Sequence, residues 1–258
     1  MIFKKYSWQL LVVLSSLALV TIWFRGKNLL GAAESALPFY DLQIEYEMTR
    51  WSWSTPGVGN SSGNITASFP TYWFLLQIEK RGVPAYLIEA GLFWFLLLVS
   101  GMSIGYLSKE FFPKLPQKFI ILAVAFYWFN PFVLVNVWNR FLYNHMFFWA
   151  LIPLAWLLFL KGIRLKDIRF SIYVALVSVV FSYALTSPAF VILLWLLFSH
   201  TILFRFLFKE NNRVFLIKYF FSNLIFFIIF NLWWLSQTLS FAGTSSYEAA
   251  VSRYFSSI

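Results

Sequence analysis

The chain has 258 residues, 60% hydrophobic and 22% aromatic, with only 12% charged. That balance excludes an ordinary soluble domain. The absence of cysteine excludes disulfides, a thiolate metal site and a thiol nucleophile. The net charge of +10 does not point to nucleic acid, because the basic residues gather at the ends of apolar runs.

Apolar runs of about 20 residues are long enough to cross a bilayer. Seven are read here, at 7–24, 85–107, 118–138, 145–161, 170–187, 188–208 and 217–238. Backbone groups in lipid must be satisfied within the segment, and the runs lack the alternation of a membrane barrel. The expected fold is therefore all-α, a polytopic transmembrane helical bundle of about seven spans. It forms a single integral membrane domain over 1–258, with a first outer loop at 25–84, a bundle at 85–238 and an outer C-terminal tail at 239–258.

Lys4 and Lys5 precede the first run, but Trp23-Phe24-Arg25 is no small-residue cleavage site, so this run is read as a retained helix. Lys109, Lys114, Lys118, Lys161, Arg164, Lys166, Arg169, Arg205, Lys209, Arg213 and Lys218 fall on the side of Lys4 and Lys5. The positive-inside rule then makes the N-terminus cytoplasmic and the 25–84 loop external. The expected location is the cell membrane, multi-pass. Two acceptor sequons, Asn60-Ser61-Ser62 and Asn64-Ile65-Thr66, lie in the external loop.

That loop holds half of the ten carboxylates: Glu34, Asp41, Glu45, Glu47 and Glu79. Ionisable groups beside lipid mark a functional site by default. Within the loop, residues 41–50 alternate like a strand, but Pro38 and the helix formers after it favour a short helix. Residues 71–82 combine Tyr72, Trp73, Leu75 and Ile78 with Glu79, Lys80 and Arg81, and end on Gly82. They read as an interfacial helix with a glycine C-cap, or as the outer end of the second span. Trp51 and Trp53 suit the aromatic belt.

Beyond the loop, polar groups at depth are few. Asn130-Pro131 reads as a helix–helix hydrogen bond at a proline kink, and Asn231 is the other polar point. Glu89 lies near the outer end of the second span. Arg140 and His145, in the second outer connection, face the same side as the acidic loop. A guanidinium recognises phosphate oxygens in a planar fork, which makes this pair candidates for a lipid phosphate. The two histidines, His145 and His200, fall at opposite faces and cannot share a metal.

Several stretches together resemble the GT-C class of membrane glycosyltransferases, in particular its arabinofuranosyltransferase-like and archaeal-type members. They are Ala33-Glu34-Ser35-Ala36-Leu37-Pro38-Phe39-Tyr40-Asp41, Trp51 and Trp53, Gly57-Val58-Gly59, Phe69-Pro70, and Asn130-Pro131 after an aromatic run. The likeness covers roughly residues 5–165. It implies transfer of a sugar from a polyprenyl-phosphate donor to a glycan or lipid acceptor at the outer face. It also implies catalysis by Glu34, with Asp41 second, and substrate contacts from Arg140, His145, Lys80 and Arg81. No cofactor and no metal are expected, since the second outer connection carries no carboxylate. Glu stands where the class usually has Asp, and relatives are commonly longer. A fragment completed by a C-terminal part or a partner subunit, or a non-catalytic membrane partner, therefore stays open, with a transporter or lipid flippase behind it.

Overall fold

A computed structural model describes residues 7–30, 38–51, 53–54, 60–61, 65–208 and 212–255. These residues form an all-helical bundle. The helices are α1 (Ser7–Trp23), α2 (Leu42–Arg50), α3 (Phe69–Glu79), α4 (Ala85–Phe111), α5 (Gln117–Phe129), α6 (Tyr143–Leu165), α7 (Arg169–Val180), α8 (Pro188–Phe208) and α9 (Arg213–Phe255). The one extended feature among them is a two-residue antiparallel pairing of Trp53–Ser54 with Asn60–Ser61.

Five segments are long and apolar enough to cross a membrane: α4, the run Gln117–Trp138 that begins with α5, α6, α8, and α9 as far as Leu239. The other two expected spans are shorter helices. The 17 residues of α1 rise about 26 Å and the 12 of α7 about 18 Å, against roughly 30 Å of hydrocarbon. After α7 the chain tightens into a 3₁₀ stretch, Ser182–Thr186, before Pro188 opens α8. The last helix does not stop at the expected tail boundary. Its backbone stays helical to Phe255, so residues 239–255 continue the helix that begins at Arg213.

Small residues decide the packing of α1. Gly101 and Gly105 sit one turn apart on α4, and a Cβ at Gly105 would run into the Trp8 indole, one at Gly101 into Trp128 and Val12. Missing side chains thus let two tryptophans reach the α4 backbone, the close approach that small-xxx-small spacing permits. Polar side chains tie the remaining helices. Asn223 donates to Ser171 at 2.9 Å and Asn231 to Ser178 at 2.7 Å, joining α9 to α7, while Trp234 donates to Asn231 Oδ1 at 2.9 Å. Trp156 donates to Thr201 at 3.1 Å between α6 and α8.

Asn130 behaves differently from the expected helix–helix link. Its Oδ1 accepts the Val133 N–H at 3.1 Å and its amide donates to the Tyr127 carbonyl at 3.2 Å. Pro131 cannot supply an N–H to the preceding turn, so Asn130 caps a restarted helix across the break. A π-helical stretch, Leu134–Trp138, follows, and Phe141 takes a positive φ of 45° before α6 begins.

The two ends of the bundle differ in chemistry. At one end Ser7 bonds Gln117, Arg164 pairs with Glu110 at 2.8 Å, and Lys109 and Lys161 lie over Trp8 and Tyr106. The opposite end carries α2, α3 and the head of α6.

Candidate functional site

The loop after α1 is pinned to the bundle at Leu30. Its N–H donates to Glu89 Oε2 at 2.9 Å. The Tyr143 hydroxyl lies 2.6 Å from Glu89 Oε1 and 3.2 Å from the Leu30 carbonyl. Glu89 is wholly buried, and Phe39 packs on the Tyr143 ring at 5.7 Å. Pro38–Tyr40 forms a 3₁₀ turn rather than the first turn of α2, and the helix starts after Asp41.

Asp41 is the N-cap of α2. Its carboxylate accepts the Ile44 N–H at 3.0 Å, satisfying a donor that has no partner within the helix. That capping bond fixes the face α2 turns inward: Leu42, Glu45 and Thr49, at i, i+3 and i+7. Leu42 and Thr49 are buried; Glu45 is half-buried. The wall opposite is built by α3 and the 3₁₀ turn Ile65–Ser68 before it, which Ser182 holds through a hydrogen bond to the Ala67 carbonyl.

Between these parts lies a cleft of about 420 Å³. It is lined by Glu45, Ser68 and Tyr72 from the loop, Asn144 and His145 from the head of α6, and Tyr183 and Thr186 from the 3₁₀ stretch after α7, with Ile65 and Leu142 as apolar edges. Segments more than a hundred residues apart meet here: the Tyr72 and Tyr183 hydroxyls are 3.0 Å apart. Burial pushes the Glu45 carboxyl up from its ordinary value. A hydrogen bond from Tyr72 works against that shift, and the nearby Asp41 charge adds to it. The Tyr72 phenol is held well above its ordinary value, mainly by burial, so it stays a neutral donor.

His145 has a defined orientation. Asn144 Oδ1 accepts the His145 backbone N–H at 2.9 Å, which marks that atom as the oxygen. The same oxygen is 2.9 Å from His145 Nδ1, so Nδ1 carries the proton in the neutral ring and the lone pair sits on Nε2. Phe190 braces the ring edge-on at 4.9 Å.

The sequence candidates separate. His145 lines the cleft. Asp41 is exposed and serves the α2 cap, while Arg140 lies in the turn ahead of α6 and does not line the cleft. Lys80 and Arg81 are exposed beyond the end of α3, where Gly82 takes a positive φ of 84° as the expected glycine cap. Glu34 lies outside the described residues. Sequence reasoning counted Glu45 among the loop acids without singling it out, although its shared helical face with Leu42 and Thr49 was a usable signal. Nothing in a chain with 13 tyrosines distinguished Tyr72 and Tyr183. No group of three or more His, Asp or Glu side chains among the described residues is placed to hold a metal ion. Compared with protein-family models, curated proteins and solved structures, the chain has no significant match.

Proposed function

We propose that this integral membrane protein is a GT-C-like transferase, moving a sugar from a polyprenyl-phosphate donor to an acceptor hydroxyl at the outer face. The observation that carries the reading is the meeting of Glu45 with His145, Asn144, Tyr72 and Tyr183 in one cleft at the head of a membrane-spanning helix. Glu45 is the base. The acceptor oxygen forms its bond to the anomeric carbon as the bond from that carbon to the phosphate oxygen breaks. The hydroxyl proton passes to Glu45, and polyprenyl phosphate leaves. A carboxylate whose affinity for protons is raised by burial is better matched to this task near neutral pH than an ordinary one. Asn144 offers its amide N–H to the phosphate, His145 presents its Nε2 lone pair as an acceptor for a substrate hydroxyl, and the tyrosine hydroxyls offer hydrogen bonds to sugar hydroxyls. The cleft's described lining has no Lys or Arg, so phosphate recognition in this reading rests on neutral donors.

The test is a reconstituted binding and transfer assay with a polyprenyl-phosphate sugar. Glu45→Gln should retain donor binding and lose transfer; Asn144→Ala should weaken donor binding. Transfer lost in Glu34→Gln but intact in Glu45→Gln would return the base to Glu34. Failure of every donor to bind would reject the transferase reading in favour of a non-catalytic partner.

A further inference from the structure

The outward face of α2 is apolar, opposite to the usual arrangement of a surface helix. Leu42 and Thr49 point inward, yet Ile44 and Met48, one turn apart, are 56% and 44% exposed. Tyr40 and Trp51 flank them at the two ends of the helix at 81% and 58%. Helical geometry sets Ile44 and Met48 about 40° apart on one face. On the neighbouring α3, Trp73 and Phe74 are exposed at 49% and 59%.

The depth of this stripe follows from what holds α2. Phe39, two residues before the cap, packs on Tyr143, the first residue of a membrane-spanning helix. Tyr46, further along, packs on Phe69 at 5.5 Å. The end of α3 winds down through Gly82 N–H to the Glu79 carbonyl at 2.8 Å, and α4 enters the membrane from Ala85. Both loop helices thus stand at the mouths of spans, where the surrounding phase is lipid headgroup and upper acyl chain. Cations border the stripe. The Arg50 guanidinium lies over the Trp51 ring at 5.1 Å, and Lys80 and Arg81 are exposed beyond α3. Aromatic and aliphatic side chains edged by cations match an interface of acyl chains edged by phosphates.

We infer that α2 is a bilayer anchor: Tyr40, Ile44, Met48 and Trp51 enter the phospholipid interface beside the bundle, with Arg50 at the phosphates. The occupant of this face is lipid, rather than a protein partner or a second copy. Because Glu45 lies on the same nine-residue helix, one turn before Met48, the anchor also sets the depth at which the cleft opens. The inference stands whether or not Glu45 acts as a base.

The chain has no cysteine, so single-cysteine variants accept a nitroxide label cleanly. The full chain would be reconstituted into mixed phosphatidylcholine and phosphatidylglycerol vesicles with labels at Ile44→Cys, Met48→Cys, Gln43→Cys and Glu47→Cys. Collision rates would be read with apolar oxygen and with a water-soluble nickel chelate. The expected result is an oxygen-to-nickel ratio several-fold higher at positions 44 and 48 than at 43 and 47. A water-like ratio at either 44 or 48 overturns the inference. Shielding from both reagents with an immobilised spectrum overturns it too, because that is the signature of a protein contact.

Discussion

Replacing Glu89 by Gln and by Ala should have unequal consequences, and the reason is a count of protons. The Tyr143 hydroxyl owns one proton but lies within reach of two acceptors, Glu89 Oε1 at 2.6 Å and the Leu30 carbonyl at 3.2 Å. Glutamine keeps an oxygen to accept the Leu30 N–H and brings an amide N–H that can donate to the tyrosine oxygen. The tyrosine proton is then released to the Leu30 carbonyl, and only the second amide N–H is left without a partner. Alanine removes both carboxylate contacts in a place with no water access, leaving the Leu30 N–H without a partner and opening a void. An orphaned buried donor costs about 1–3 kcal/mol and the lost side-chain packing adds to it, so Glu89→Ala should destabilise by about 3 kcal/mol. For a chain of this size that is a fall in Tm on the order of 10 °C. Glu89→Gln, with one unpaired amide N–H and no void, should cost less, about 1–2 kcal/mol. Thermal unfolding of the purified protein in detergent, followed by intrinsic fluorescence, measures both. A glutamine variant as unstable as the alanine variant would refute the proton count.

Two further outcomes are expected. The Glu45 carboxyl is raised by burial, so the folded state holds its proton more tightly than the unfolded chain does. Its contribution to stability is therefore full below the ordinary carboxylate value and is lost as pH rises through the raised one. Glu45→Gln should gain in Tm relative to the parent as pH rises above the ordinary carboxylate value, and a difference independent of pH would contradict this. Asn231→Leu removes the donor to Ser178 and the acceptor of Trp234 in a buried interface, and should lower stability by about 1–2 kcal/mol. Detergent melting curves that match the parent would show that those bonds are replaceable.

The helical bundle was legible from apolar run length alone, because a bilayer demands a minimum of continuous hydrophobicity. The number of spanning helices was less so. The 170–187 run is apolar throughout, yet its backbone leaves the α-helix at Phe181, and hydropathy does not register that change. In the loop between α1 and α4, Gly82 marked the end of α3, whereas Pro38 opens a 3₁₀ turn and α2 starts only after Asp41. The resemblance named Asp41 as the second candidate acid, and local pattern did not register its role as the cap of α2. Glu45 gained its distinct environment from Tyr72, and Tyr72 from Tyr183, contacts that exist only after three separated segments meet. Glu89 was noticed as a carboxylate inside a span, but its tie to Leu30, 59 positions away in sequence, was beyond local pattern.

The glycines beneath Trp8 bear on how the chain is built, as distinct from how it is held. Insertion of the first helix depends on its hydrophobicity, which a change at Gly105 does not touch. Docking of that helix depends on an empty space in a segment synthesised some ninety residues later. The first helix therefore has no docking surface until α4 has been made. A side chain at position 105 would yield a fully inserted but unassembled protein, separating the two stages of membrane folding at a single methyl group.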